Sequence, residues 1–244
     1  MSALLSMSGV TAGYAADIDI LRNLSLSIEP ARITGLIGLN GAGKSTLIKA
    51  ICGFLRPGTG SIHYDGADIT GIAPHTLIDR GIWYIPQESS LFPYMSVVDN
   101  LRLPLERLAR TTAGVEIDAR FEEMLRHFPA IRAKLHDQAG DLSGGQQKMV
   151  EFAKAYLVRP RLCLIDEPSI GLAPKIALEV YQWIELFSGQ GMAILLVDHN
   201  VRRVVQMSEY IYVMSLGEIT AEGKRADFEG DLHEQVRSWL GVNF

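Results

Sequence analysis

Apolar residues recur along this chain in two spacings, and the first of them predicts strands. Leu24, Leu26 and Ile28 alternate with polar residues, as on a half-buried β-strand, and residues 4–10 indicate another strand. Shorter blocks are apolar at most positions, which is typical of strands that are covered on both faces. These blocks are residues 33–37, 82–85, 162–165, 193–197 and 211–214.

The second spacing predicts helices, most of them between residues 88 and 159. Within residues 116–128 the apolar side chains fall three and four positions apart, as on one face of a helix. A hairpin is expected over residues 60–69, because two short strands there flank Asp65-Gly66. A last helix is expected at residues 231–240. Strands alternating with helices predict an α/β fold, with a helical subdomain inserted between two strands of the sheet.

Composition narrows the class of protein without revealing a function. The chain has 244 residues, enough for one sizeable core, and its net charge of −5 argues against a nucleic-acid partner. Cys52 and Cys163 fall in predicted buried elements, so we expect a reducing compartment and no disulfide framework. The N-terminal residues lack a signal-peptide pattern, and the longest apolar runs are only strand-length. We therefore expect a cytosolic chain that relies on another chain for any work at a membrane.

The strongest motif is the glycine-rich stretch at residues 38–46, between a predicted strand and a predicted helix. Its spacing, G-x-x-x-x-G-K-S, is that of a phosphate-binding loop. Gly38, Gly41 and Gly43 are expected to take backbone angles that other residues avoid, so that consecutive N–H groups point at one anion. The helix beginning near Lys44 directs its positive end to the same place. We expect Lys44 to reach the β- and γ-phosphates and the Ser45 hydroxyl to ligate Mg²⁺. A chance glycine-rich turn is the alternative, which the flanking strand and helix disfavour.

Polar residues follow three of the predicted strands, at the sheet edge where α/β proteins bind ligands. Asp166 and Glu167 end one strand, so that one carboxylate can serve Mg²⁺ and its neighbour can polarise a water. His199, after a second strand, is placed to contact a γ-phosphate. Gln87, after a third, is placed to position Mg²⁺ and water. An ordinary solvated loop residue is the alternative at each of these positions.

A second glycine motif lies at residues 142–146, Leu-Ser-Gly-Gly-Gln, before an amphipathic helix. Ser143 is a favourable N-cap, but glycines in a first helical turn are unfavourable for helix stability. This cost suggests that Gly144 and Gly145 allow a close backbone approach to a phosphate at the helix N-terminus. The alternative is an ordinary Ser-capped helix, which leaves the paired glycines unexplained.

Taken together, these motifs resemble those of the ATP-binding subunits of ABC transporters, over essentially the whole chain. The resemblance implies a P-loop ATPase core with an N-terminal antiparallel β subdomain and an inserted α-helical subdomain, using ATP and Mg²⁺. It implies a single ABC ATP-binding domain over residues 1–244, with a catalytic core at 1–87 and 160–244 and the helical subdomain at 88–159.

The resemblance also implies a role for each motif residue. The catalytic residues are then Glu167 as the base, His199 as the switch histidine, and Gln87. Tyr14, which spacing alone suggests is an ordinary loop tyrosine, resembles the aromatic residue that stacks on adenine. The metal ligands are Ser45, Gln87 and Asp166. The nucleotide-binding residues are Tyr14, Gly38, Asn40, Gly41, Ala42, Gly43, Lys44, Ser45, Thr46, Ser143, Gly144, Gly145 and Gln146.

One departure from the family pattern points to a subfamily. After Pro168 the chain reads Ser-Ile-Gly-Leu-Ala-Pro, and Ala173 stands where many relatives carry an aspartate that communicates between two sites. This stretch resembles importers of branched-chain amino acids and related amides, which work with a periplasmic binding protein. Residues 86–88 and 198–202 instead resemble a group that extracts lipopolysaccharide from the inner membrane. A non-transport ATPase of DNA repair or translation, or a P-loop kinase, is the competing class.

The resemblance implies partners as well. We expect ATP to be sandwiched between this chain and a second, identical or similar ATP-binding subunit, so that a side chain at Gly145 would obstruct the close approach. We also expect permease subunits at the cytoplasmic face of the membrane. The stretch from Glu88 to Val98 is the predicted docking surface, with Phe92 and Tyr94 as exposed candidates. An apolar loop packed into the subdomain core is the alternative for that stretch.

Overall fold

The computed structural model describes residues 3–15, 18–111 and 116–228, and the helix expected at 231–240 lies outside them. The strands in chain order are β1 (Leu5–Ala12), β2 (Leu21–Ile28), β3 (Ile33–Gly38), β4 (Thr59–Tyr64), β5 (Ala67–Asp68), β6 (Ile82–Ile85), β7 (Leu162–Asp166), β8 (Ala193–Val197), β9 (Tyr210–Ser215) and β10 (Glu218–Lys224). The helices are α1 (Lys44–Ile51), α2 (Val97–Thr111), α3 (Ile117–His127), α4 (Gly144–Val158), α5 (Pro174–Gly189), α6 (Val201–Met207) and α7 (Arg225–Phe228).

The strands form two sheets. A four-stranded antiparallel sheet has the order β2-β1-β4-β5, and its β4–β5 turn uses Asp65 and Gly66, both with positive φ. The hairpin is therefore confirmed, although its second strand ends at Asp68. The second sheet has six strands in the order β10-β9-β3-β8-β7-β6, all parallel except β10. The five apolar blocks form every strand of this sheet except β10, with β6 at one edge, and helices and the antiparallel sheet cover its two faces.

Two hydrophobic cores cover the two faces of the parallel sheet. One lies between this sheet, α1 and the antiparallel sheet, and includes Leu36, Leu47 and Met7. The other joins the opposite face to α4, α5 and α6, and extends to α2 and α3. Helices α2, α3 and α4 thus share a core with the parallel sheet.

The helical region is less continuous than the sequence predicts. Residues 88–96 are not helical, and the first helix of the region begins at Val97. Short 3₁₀ turns at Pro129–Lys134 and Ala139–Asp141 separate α3 from α4. The predicted apolar stripe on α3 is confirmed, since Phe121, Met124 and Leu125 are buried. No helix among the described residues is both long and apolar enough to cross a membrane.

Candidate functional site

The parallel sheet brings the predicted site residues to one edge. Strands β3, β6, β7 and β8 end there, and each is followed by one of the motifs found in the sequence. A cleft of about 440 Å³ opens at this edge. It is lined by Tyr14, Ile20, Asn40, Gly41, Gly43, Lys44, Ser45, Thr46, Gln87, Glu167, Ile170 and His199.

The phosphate loop needs its glycines for two different reasons. Gly41 and Gly43 have φ of 79° and 107°, a left-handed region that favours glycine. Gly38 does not share this conformation, contrary to the expectation that all three do. A Cβ at Gly38 would instead lie 2.3 Å from the carbonyl oxygen of Met214 on β9, so glycine is required there by close packing.

Lys44 begins helix α1 and lies buried beneath the loop. Its Nζ donates hydrogen bonds to the carbonyl oxygens of Gly38, at 2.9 Å, and Leu39, at 3.0 Å. The same ammonium lies 4.0 Å from Oε1 of Glu167. Burial lowers the pKa of Lys44, and the negative charges of Glu167 and Asp166 oppose that shift. The Lys44 ammonium is therefore held at the floor of the cleft by carbonyl groups of the phosphate loop itself.

Asp166 ends β7 as a buried carboxylate with one uncommitted oxygen. Its Oδ2 accepts a long hydrogen bond of 3.4 Å from the Tyr84 hydroxyl. Its Oδ1 is buried and has no partner of good hydrogen-bond geometry among the described residues. Burial raises the pKa of Asp166, while hydrogen bonding from the Ser45 side chain opposes the rise. An unpaired carboxylate oxygen beside a serine hydroxyl is a donor set that fits Mg²⁺, which takes oxygen ligands.

Glu167 and His199 form a close pair in the cleft. His199 Nε2 lies 2.7 Å from Oε2 of Glu167, so this carboxylate lies between the histidine and Lys44. Glu167 itself has a φ of 47°, and its amide donates to the carbonyl oxygen of Val197 at 2.8 Å. A non-glycine residue in this conformation is strained, and such strain is concentrated at functional sites.

Gln87 and Tyr14 lie at the rim of the cleft. Gln87 is exposed just beyond β6, in the place that the strand order predicts. Tyr14 is 61% exposed, and the Nζ of Lys49 lies 5.5 Å from the centre of its ring. An exposed ring face with a cation beside it is a suitable surface for a flat base.

The second glycine motif does not join this cleft. Ser143 caps α4 in a capping box with Gln146: the Gln146 amide donates to Ser143 Oγ at 3.4 Å, and the Ser143 amide donates to Gln146 Oε1 at 2.9 Å. A Cβ at Gly144 would meet nothing within 4 Å, whereas one at Gly145 would lie 3.1 Å from Ile176. Gly144 therefore faces open space, whereas a side chain at Gly145 would also meet Ile176 of the same chain. That a side chain at Gly145 would obstruct a second subunit stays a prediction.

Comparison with known proteins identifies the family. The family description "ABC transporter" matches residues 21–170, which include the phosphate loop, Gln87, Ser143 to Gln146 and the Asp166–Glu167 pair. The chain belongs to the ABC transporter family. It is an ABC-type ATPase that binds and hydrolyses ATP as the energising subunit of a transporter.

The relatives of this ABC ATPase divide between two transport systems. It is 32% identical to the high-affinity branched-chain amino acid transport ATP-binding protein BraG of Pseudomonas aeruginosa, over 88% of this chain and 91% of BraG. It is 34% identical to the lipopolysaccharide export system ATP-binding protein LptB of Escherichia coli K12, over 92% of both chains. A solved ATP-binding subunit of an ABC transporter superposes with a TM-score of 0.84 at 28% identity, covering 97% of this chain and 99% of that one.

Three features of the ABC ATPase have no counterpart among the residues singled out from the sequence. Tyr84 contacts Asp166 from the neighbouring strand, and Ile20 and Ile170 line the cleft. The strand register could have indicated Tyr84, because β6 pairs with β7 in parallel and places Tyr84 opposite Leu164, two residues before Asp166. No sequence signal marks the two isoleucines.

Ala173 is the N-cap residue of α5 and makes no side-chain capping bond, with Pro174 as the first helical residue. Where relatives carry aspartate, a carboxylate at this position could accept a bond from the first helical turn. Alanine at position 173 therefore leaves α5 without a side-chain N-cap and the preceding loop without a carboxylate.

Proposed function

We propose that this ABC ATPase energises the import of branched-chain amino acids or related amides. The observation that supports this most is the segment from Asp166 to Pro174, with an uncapped Ala173 starting α5, which resembles that importer group. The similarity to BraG agrees with it. The importer would also include permeases and a periplasmic binding protein, which contact the substrate in place of this chain.

Extraction of lipopolysaccharide is the second candidate. It is favoured by Pro86-Gln87-Glu88, by the stretch from Asp198 to Arg202 and by the similarity to LptB. An uptake assay separates the two candidates. Deleting the gene should abolish uptake of labelled leucine or of an aliphatic amide, and the wild-type gene should restore it while Glu167→Gln should not. Normal uptake of both, with lipopolysaccharide accumulating in the inner membrane, would contradict the importer assignment.

The cleft suggests how the residues divide the work of hydrolysis. Lys44 and the loop amides would hold the β- and γ-phosphates, and Ser45, Asp166 and Gln87 would hold Mg²⁺. Bound Mg²⁺ would neutralise charge that develops on the phosphates. Glu167 would take the proton of the attacking water, and His199, 2.7 Å from this carboxylate, would orient it and contact the γ-phosphate.

A second ATP-binding subunit would complete the site. Ser143 and Gly144 lie at the start of α4, outside the cleft, and Gly144 faces open space. Amide groups at a helix N-terminus are a favourable position for a phosphate. We place these groups over the γ-phosphate bound in the cleft of a second copy or of a similar chain, as the family resemblance implies.

The permease would dock on an apolar groove of about 840 Å³ between the catalytic sheet and α2. Phe54, Tyr84, Phe92 and Leu103 are among its lining residues. Phe92 and Tyr94 are 50% and 89% exposed, as a docking surface requires, whereas Val97 of the same stretch is buried in the core. A membrane protein that reaches this chain must offer a cytoplasmic segment, and an amphipathic helix is the element that fits an apolar groove.

Matched leucine variants test this docking surface. Leu103 in the groove and Leu178 on α5 are both exposed, at 44% and 50%. Leu103→Glu and Phe92→Glu should abolish co-purification with the permease and keep the ATPase activity of the isolated chain. Leu178→Glu should leave co-purification intact. Retained co-purification of both groove variants would contradict docking at this surface.

A further inference from the structure

Helix α4 carries a buried ion pair that no catalytic motif accounts for. Lys148 and Glu151 are 7% and 2% exposed, and Lys148 Nζ lies 2.7 Å from Glu151 Oε2. This contact is ionic and lacks the geometry of a hydrogen bond. Burying two charges costs more than such a pair usually returns in stability, so a buried pair is weak evidence for a role in stability alone.

The pair directs its remaining hydrogen-bonding groups to the segment at residues 86–90. Lys148 Nζ donates to the carbonyl oxygens of Pro86, at 3.0 Å, and Gln87, at 3.4 Å. Glu151 Oε1 accepts from both the amide and, at 3.1 Å, the hydroxyl of Ser90. The backbone on either side of the Gln87–Ser90 stretch is therefore held by two charged side chains, one turn apart on α4.

This segment separates the nucleotide cleft from the apolar groove. Gln87 lines the cleft, whereas Pro86, Ser90 and Phe92 line the groove. Lys154, one turn further along α4 and also buried, lies with its Nζ 6.0 Å from the centre of the Phe92 ring. One face of α4 thus contacts the segment from Gln87 to Phe92, while the N-terminus of the same helix carries the second glycine motif.

We propose that Lys148 and Glu151 are positioning residues that fix the backbone of Gln87 and tie it to α4. The proposal rests on the role given above to Gln87. Movement of α4, whether from docking at the groove or from a second subunit at its N-terminus, then changes the position of the Gln87 side chain in the cleft. The pair acts through Gln87 and does not itself touch the nucleotide.

Replacing both charges by apolar groups separates positioning from stability. In Lys148→Met/Glu151→Leu the volume is roughly kept, and apolar replacement of a buried pair is often neutral or stabilising. We expect the melting temperature to be no lower than in the wild type, while kcat for ATP falls by about 10-fold to about 100-fold because Gln87 is misplaced. The KM for ATP should stay within about twofold, and amide exchange at residues 87–92 should accelerate.

A matched pair serves as the control. Lys134 and Asp137 have the same three-residue spacing and the same 2.7 Å contact, but they are 42% and 41% exposed and lie outside the cleft. Lys134→Met/Asp137→Leu should leave kcat and amide exchange at residues 87–92 unchanged. A normal kcat in Lys148→Met/Glu151→Leu would overturn the proposal. A lower melting temperature with faster exchange throughout the chain would overturn it as well, since the pair would then be structural.

Combination with Gln87→Ala shows whether the pair acts through that residue. If it does, the triple variant Gln87→Ala/Lys148→Met/Glu151→Leu should be no slower than Gln87→Ala, because the two losses share one cause. Losses that multiply would overturn the proposal. A wild-type kcat in Gln87→Ala alone would instead refute the role assigned to Gln87. None of these assays depends on which substrate the transporter carries.

Discussion

The two glycine motifs of this chain differ in what surrounds them. In the phosphate loop, a Cβ at Gly43 would lie 2.7 Å from Met214 Cε, and Gly43 has a φ of 107°. At Gly144 a Cβ would meet nothing within 4 Å, and the backbone does not have the positive φ that favours glycine. The fold itself therefore requires glycine at Gly43 in the first motif, whereas no contact among the described residues requires it at Gly144.

This difference indicates whether each glycine motif works within its own chain or against a second one. The phosphate loop lies against β9, and its lysine is held by the loop's own carbonyl groups, so this half of the site is built within one chain. The second motif carries glycines that lower helix propensity and bring no packing benefit at Gly144. Their use lies with a surface that approaches from outside, which is why we assign it to a second subunit.

The largest expected effect is on the nucleotide cleft, the half of the site that a single chain forms. Glu167→Gln removes the proposed general base and should lower steady-state phosphate release by about 10²-fold to 10⁴-fold, with ATP binding retained. Lys44→Ala removes the phosphate cation and should weaken ATP binding instead. Equilibrium ATP titration and a phosphate-release assay distinguish these effects. Turnover in Glu167→Gln within about twofold of the wild type would contradict the assignment of the base.

The next largest effect concerns the second glycine motif, residues 142–146, which we assign to contact with a second chain. In the Glu167→Gln background, sedimentation should show monomers without nucleotide and dimers with ATP. Adding Gly144→Asp should abolish that dimer while leaving ATP affinity near normal. Gly189→Asp is the control, because a Cβ there also meets nothing within 4 Å. An ATP-dependent dimer that survives Gly144→Asp would show that the motif does not face a partner.

Alanine substitutions in the two glycine motifs should change the free energy of unfolding in opposite directions. Gly43→Ala forces alanine into a left-handed conformation against Met214 and should lower the free energy of unfolding by about 1–3 kcal/mol. Gly144→Ala should raise it by up to about 1 kcal/mol, because alanine is the better helix former. Urea unfolding measures both changes. Opposite signs are the expected result, and a destabilised Gly144→Ala would show an internal role for this glycine.

The smallest expected effect concerns helix α5, which packs against the second glycine motif. Ile176 on α5 lies against Gly145, and α5 begins at the uncapped Ala173. Ala173→Asp and Ala173→Asn should each stabilise the protein by about 0.5–2 kcal/mol, since both side chains cap helices well. Thermal unfolding checks this. A gain with aspartate alone would indicate that charge at the helix end, and not capping, is responsible.

The sequence predicts the motifs that are contiguous and misses contacts that depend on packing. Residues 38–46 carry their whole pattern locally. Strands β6 and β8 have the predicted bounds, and β7 extends one residue beyond its apolar run, to Asp166. The contact of Tyr84 with Asp166 joins two strands, and the burial of Lys148 depends on a segment far away in the chain. Charged residues on a helix usually face solvent, so their pattern gave no indication of burial.

The glycine motifs predict which positions need glycine, but they do not predict the structural reason for it. Gly38 was expected to share the conformation of Gly43, yet its constraint comes from the Met214 carbonyl on β9. At Gly145 a Cβ would lie 3.1 Å from Ile176 of the same chain, so glycine there has a packing reason inside the chain in addition to the predicted partner. In both positions a motif shows that glycine is needed, while the reason lies in a distant segment that packs against it.

The strand order has a consequence for the order of synthesis. Strand β3, which carries the phosphate loop, lies between β8 and β9 and pairs with both along its length. Those partners are made near the end of the described chain, so β3 must wait for them on the order of 10 s at ordinary rates of translation. During that interval Ile33, Leu36 and Ile37 have no strands to cover their edges. The phosphate loop therefore reaches its folded position only after β9 has been synthesised, and nucleotide binding begins after that point.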